Sequence, residues 1–150
     1  MRVGVFWIGK TRLPGVAALS EEYGRRLGRY CEFRGEEIRE ARRRSGETSG
    51  EELVILTRSK ETYRVALDPA GRKWESAEFA RFLRKLRDGG QRDVSFCVGG
   101  AEGFSRAFLE QADMLLSLSP LTLPHELARV VLLEQLYRAF TMLANHPYPR

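Results

Sequence analysis

The chain has 150 residues, 43% of them apolar and 30% charged, a balance that excludes an intrinsically disordered segment and fits one globular domain. Its 25 Lys and Arg outnumber 20 Asp and Glu for a formal net charge of +5, and 21 of those cations are arginine. No run approaches the roughly 20 apolar residues of a membrane span, and Met1–Lys10 is too short an apolar stretch for a signal peptide, so a soluble cytoplasmic domain is expected.

The opening Arg2–Ile8 reads as a strand, and Gly9–Gly15 as a turn that ends with Pro14 set to begin a helix. Val16, Leu19, Tyr23, Leu27 and Tyr30 recur at steps of three and four, the period of a helix face. Cys31, Phe33 and Ile38 outline a weaker second strand, and the arginine-rich Arg39–Gly50 reads as a solvated loop. A short helix is expected over Glu51–Arg58, then a strand Tyr63–Leu67 that stops at Asp68-Pro69-Ala70-Gly71. Ser76 is the expected cap of a helix whose apolar face is Phe79, Phe82, Leu83 and Leu86, closed by Gly89-Gly90. The strand Val94–Val98 leads into Gly99-Gly100-Ala101-Glu102-Gly103, and Ser105 opens a short helix. Met114–Leu118 is the last strand, followed by Ser119–Leu123 and a helix over Pro124–Ala144.

Strands alternating with helices specify an α/β fold with a largely parallel sheet. The last helix is apolar on most of its faces, through Leu127, Val130, Val131, Leu132, Leu133, Leu136, Tyr137 and Phe140. Such a helix must be covered on more than one side, and in so small a domain a second subunit is the expected cover, hence a homodimer.

Three loops follow strand ends, where open α/β sheets place their ligands: Leu67–Trp74, Gly99–Ser105 and Leu118–Leu123. Gly99 allows close approach of backbone to a ligand, in space that a side chain would fill. The glycine turn has neither the dinucleotide fingerprint nor the Lys-Ser/Thr of a phosphate loop. In the third loop Leu118, Leu121 and Leu123 supply aliphatic walls for a purine, while Ser119, Pro120 and Thr122 order the turn; Thr122 also serves as a cap for the last helix. His125, in that helix's first turn, is the lesser candidate for proton chemistry. Arg138 is either paired with Glu134 or aimed at a ligand, and Tyr148 and Arg150 in the tail offer stacking and phosphate contacts. Two cysteines, Cys31 and Cys97, and two histidines, His125 and His146, have no zinc-ligand spacing, so no metal is expected. The arginine bias suits a nucleic-acid partner, and equally a GC-rich coding sequence.

Val-Gly-Gly-Ala-Glu-Gly-Phe-Ser (98–105), Leu-Ser-Leu-Ser-Pro-Leu-Thr-Leu-Pro-His (116–125), Glu-Gln-Leu-Tyr-Arg-Ala-Phe (134–140) and the closing His146-Pro147-Tyr148 are shared with a known group. In these motifs, and over nearly the whole chain, the sequence resembles the RlmH family, the ribosomal large subunit pseudouridine N3-methyltransferases of the SPOUT class. The resemblance implies a SPOUT-type α/β fold with a deep trefoil knot, S-adenosylmethionine as cofactor, and a homodimer whose sites lie near the subunit interface. It implies cofactor contacts at Leu67, Gly99 and Leu118, Ser119, Pro120, Leu121, Thr122 and Leu123. It also implies a substrate site for 23S rRNA of assembled ribosomes, built from Tyr148 and Arg150 with Arg138 beneath them. Two departures stand out: Pro149 occupies the place where relatives usually carry histidine, and Arg39–Glu52 is shorter than in many of them. Methylation of another RNA, or an inactive RNA-binding homologue, are the alternatives.

Overall fold

The computed structural model describes residues 1–39 and 49–149; most of the arginine-rich segment Arg39–Gly50, and Arg150, lie outside the described residues. Five strands form one sheet: β1 (Arg2–Ile8), β2 (Glu32–Ile38), β3 (Tyr63–Lys73), β4 (Asp93–Val98) and β5 (Met114–Ser117). Their order is β2-β1-β4-β3-β5, and every neighbouring pair is parallel. Five helices connect and cover them: α1 (Pro14–Leu27), α2 (Gly50–Arg58), α3 (Ser76–Asp88), α4 (Arg106–Leu109) and α5 (His125–Leu143).

A parallel sheet covered by helices on both faces needs strands that are apolar on both sides. The pleat sorts those side chains in alternation. Val3 and Val5 of β1, with Val94, Phe96 and Val98 of β4, face the larger core beneath α1, α3 and α5. Phe6, Ile8 and Cys97 face the smaller core, closed by Ile55 of α2 and Phe108 of α4. Burial pushes the Cys97 thiol up to about 12, so it packs as a small apolar group.

The helix starts follow local chemistry. Pro14 occupies the first turn of α1, as expected. Ser49 and Glu52 form a reciprocal capping box on α2, with Ser49 N donating to Glu52 Oε1 at 2.9 Å and Glu52 N donating to Ser49 Oγ at 3.2 Å. Ser105 caps α4 by accepting from the Phe108 amide. Ser76 does not cap α3: it is the first helical residue, and its hydroxyl donates to Gln135 Oε1 of α5 at 2.6 Å. Thr122 does not cap α5 either, because the N-cap position belongs to Pro124.

Two elements depart from expectation. β3 does not stop at Leu67. It bulges outward over Asp68–Gly71 and rejoins β5, so that Leu67 and Arg72 both register against Leu116, and Lys73 against Ser117. The return works because residue 71 is glycine: a Cβ there would lie 2.6 Å from the backbone of Leu115 and Leu116. The second departure concerns α5, whose Leu132, Leu133, Leu136 and Phe140 are buried by the chain's own sheet with α1 and α3 on either side. No partner is needed to cover them. The exposed large apolar side chains among the described residues include Leu13, Leu19, Leu121 and, on α5 itself, Leu127.

Candidate functional site

The three loops at strand ends converge on one cleft of about 790 Å³. Leu67, Gly99 and all of Leu118, Ser119, Pro120, Leu121, Thr122 and Leu123 line it, so the fold brings together every residue expected to hold a cofactor. Its size lies within the range for small-molecule sites. Order in the third loop comes from Ser117 Oγ donating to the Ser119 carbonyl at 3.1 Å and the Leu121 amide donating to Ser119 Oγ at 2.9 Å. Leu121, at 77% exposure, overhangs the rim.

Gly99 belongs to the cleft for a different reason than expected. A Cβ on Gly99 would meet the backbone of Gly103 at 3.1 Å, so it would point into the loop's own return and not at a ligand. Gly103 closes that return with φ +72°, and its amide donates to the Gly100 carbonyl at 3.0 Å. The far end of the loop is anchored by Glu52, whose buried carboxylate accepts the Ser105 amide at 2.7 Å while its other oxygen serves the α2 cap.

His125 and Ala128 form the α5 side of the cleft, and Asp68, Pro69, Lys73 and Glu102 complete it. Lys73 lies within the expected loop Leu67–Trp74 but was not singled out there, because its place depends on the bulge in β3. Behind the cleft the β1–α1 turn is pinned to α5. Arg129, 1% exposed, donates to the carbonyls of Ile8 at 2.8 Å and Gly9 at 3.0 Å and to Thr11 Oγ1 at 3.0 Å. Glu126 accepts the amides of Leu13 and Arg12, and those bonds hold its carboxyl below the ordinary value of 4.5. Both were missed in the sequence, since spacing cannot distinguish a buried arginine from a solvated one.

The tail candidates gather elsewhere. Arg138 and Tyr148 line a separate hollow at the C-terminal end of α5. Arg138 grips Glu134 through both Nε at 3.0 Å and Nη2 at 2.6 Å, and its Nη1 donates to the Pro149 carbonyl. Its guanidinium lies 4.8 Å from the Tyr148 ring centroid. Paired in this way, Arg138 fastens the tail and its charge is largely spent on Glu134. Tyr148 packs edge-on against Tyr137, shares a 3.3 Å hydroxyl contact with Tyr23 and donates to Glu134 Oε1. Burial, the Tyr23 hydroxyl and the Glu134 charge all push its phenol pKa up, so Tyr148 stays neutral at physiological pH. Ala128 of the cleft and Arg138 of the hollow are ten residues apart on α5, about 15 Å along the axis. One chain therefore does not bring its own tail to its own cleft.

Among the described residues no His/Cys/Asp/Glu group has metal-binding geometry, and no helix is long and apolar enough to cross a membrane.

Residues 1–149 match the family described as predicted SPOUT methyltransferases. A ribosomal RNA large subunit methyltransferase H from Anaeromyxobacter sp. (strain Fw109-5) is 44% identical over 153 residues, covering 99% of each chain. Among solved structures, the tRNA (m1G37) methyltransferase of Aquifex aeolicus superposes with a TM-score of 0.62 at 14% identity, over all of this chain and 75% of that one. The SpoU methyltransferase AviRb of Streptomyces viridochromogenes, solved in complex with AdoMet, gives 0.51 at 13% identity over 96% of this chain and 58% of its own. These two share the fold, with its parallel sheet and flanking helices. The chain belongs to the SPOUT methyltransferases, within the group of ribosomal RNA large subunit methyltransferase H.

Proposed function

We propose that this protein transfers the methyl group of S-adenosylmethionine to N3 of a pseudouridine in 23S rRNA of assembled ribosomes, acting in the cytoplasm as a homodimer. The observation that carries the reading is the single cleft in which Leu67, Gly99 and Leu118–Leu123 meet at the strand ends. Its aliphatic walls suit an adenine ring, and the main-chain groups of the two loops suit the polar edge of the nucleoside. The cofactor supplies a methyl group already activated on a sulfonium, so the residues here have to position it and exclude water. The deep knot belongs to this reading, as the chain path expected of the family.

The dimer reading rests on where the pieces lie. Leu13 and Leu127 are 52% and 45% exposed, and Glu126, next to Leu127, holds the Leu13 amide. That apolar patch borders the cleft, whereas the tail of the same chain sits at the other end of α5. A second copy packed on the patch would cover it and offer its own tail to this cleft. Arg138 and Tyr148 then act as a preformed mount for the tail, with Arg150 as its terminal cation.

The test pairs two measurements on the full chain. Calorimetric titration with S-adenosylmethionine is expected to show binding, and undermethylated ribosomes are expected to take up labelled methyl, mapped by mass to N3 of one pseudouridine. Cofactor binding with no transfer to any RNA would favour the inactive homologue. Transfer to a different RNA would replace the substrate.

A further inference from the structure

Outside the cleft and the tail, a second groove of about 700 Å³ runs between α3 and the outer edge of β3 and β5. Its floor is aromatic: Trp74 and Phe82 lie 5.0 Å apart between ring centroids, and Tyr63 continues the row 5.7 Å from Phe82. All three are half-buried. Its rim is cationic, with Arg72, Arg81 and Lys85 exposed. Two carboxylates, Glu78 and Asp113, stand against these three cations, and Asp113 also accepts the Arg64 amide at 2.7 Å.

The groove adjoins the cleft through one dipeptide. Arg72 lines the groove while Lys73, the next residue on β3, lines the cofactor cleft, because consecutive strand residues point to opposite sides. The bulge in β3 produces this arrangement, since it returns the strand to pairing with β5 at these two residues.

We propose that the α3–β3 groove binds a single-stranded nucleotide of the substrate rRNA next to the target, with a base stacked on Trp74 and Phe82 and phosphates held by Arg72, Arg81 and Lys85. Aromatic floors bearing cations at their rims are the recurrent answer to single-stranded nucleic acid, because every base has a stacking face and every linkage a charge. A protein partner would meet the same cations without a reason for the aromatic row. The inference rests on the rRNA reading above and adds a second contact surface to it.

Two experiments test it. The double variant R81E/K85E changes only exposed side chains. It is expected to bind undermethylated ribosomes about tenfold or more weakly than the wild type, with a salt slope smaller by about two, while S-adenosylmethionine affinity is unchanged. Equal affinity and slope would overturn the groove. Loss of ribosome binding with unchanged binding to protein-free 23S rRNA would assign the groove to a ribosomal protein and also overturn the proposal. In the second experiment Trp7→Phe leaves Trp74 as the only indole, and oligouridylate is expected to quench its fluorescence. No quenching sinks the stacking claim. Quenching by oligouridylate in a protein that neither binds nor methylates ribosomes would keep the groove and refute the rRNA reading, so the two failures are distinguishable.

Discussion

Gly71 is the residue on which the strand-end geometry depends. With a Cβ 2.6 Å from the Leu115–Leu116 backbone, Gly71→Ala must push β5 away from β3. Overpacking against backbone costs about 3 kcal/mol, and the expected result is an equal loss in urea unfolding free energy together with weakened cofactor binding. An unchanged midpoint would show that β5 yields without cost. Glu126 carries a pH signature. Its carboxyl is held below 4.5 by the Leu13 and Arg12 amides, so its contribution is complete above that value and is lost as pH falls through the lowered folded value. Wild type and Glu126→Gln should therefore differ in Tm at pH 6, and the difference should shrink as pH falls below 4.5 and through the lowered folded value. A gap that stays constant across the titration would mean the carboxylate charge is irrelevant there.

At the level of elements, α5 does two jobs at its two ends. Its first turns border the cleft and pin the β1–α1 turn through Glu126 and Arg129, and its last turns mount the tail through Glu134 and Arg138. Deleting residues 148–150 removes the tail while leaving every residue that lines the cleft in place. The truncated protein should bind S-adenosylmethionine as the full chain does and fail to methylate ribosomes. Retained transfer would remove the tail from the substrate site; loss of cofactor affinity as well would make it part of the fold. Pro149 fixes its own φ and keeps Tyr148 extended, and its carbonyl accepts from Arg138. Here that position serves as an anchor for the tail.

For the molecule as a whole, the proposed dimer is where the two ends of α5 meet. Leu127 is 45% exposed beside a cleft that lacks any tail of its own. The wild type is expected to sediment as a dimer at micromolar concentration, and Leu127→Glu as a folded monomer with cofactor binding reduced and methyl transfer abolished. A Leu127→Glu protein that remains dimeric would move the interface elsewhere. Of the α5 side chains from which a partner was expected, Leu132, Leu133, Leu136 and Phe140 are already buried by α1, α3 and the sheet, and Leu127 is left exposed. The argument for a dimer rests instead on the exposed Leu13 and Leu127.

Local patterns carried most of this protein's design. Helix and strand periods placed the ten elements among the described residues, their alternation required a parallel sheet, and the segments Leu67–Trp74, Gly99–Ser105 and Leu118–Leu123 that meet at the cleft stood out because glycine, proline and serine cluster there. Pairing across the chain was decided only in three dimensions. Whether Asp68–Gly71 ends β3 or bulges from it depends on how closely β5 approaches, a distance that only the packed sheet sets. The same holds for Arg129, which is indistinguishable in sequence from twenty other arginines until three acceptors of the β1–α1 turn surround it. It holds for Gly99 too: its place after a strand was legible, while the neighbour its missing Cβ would strike is a residue four positions on, reached through a turn that closes only in the folded loop.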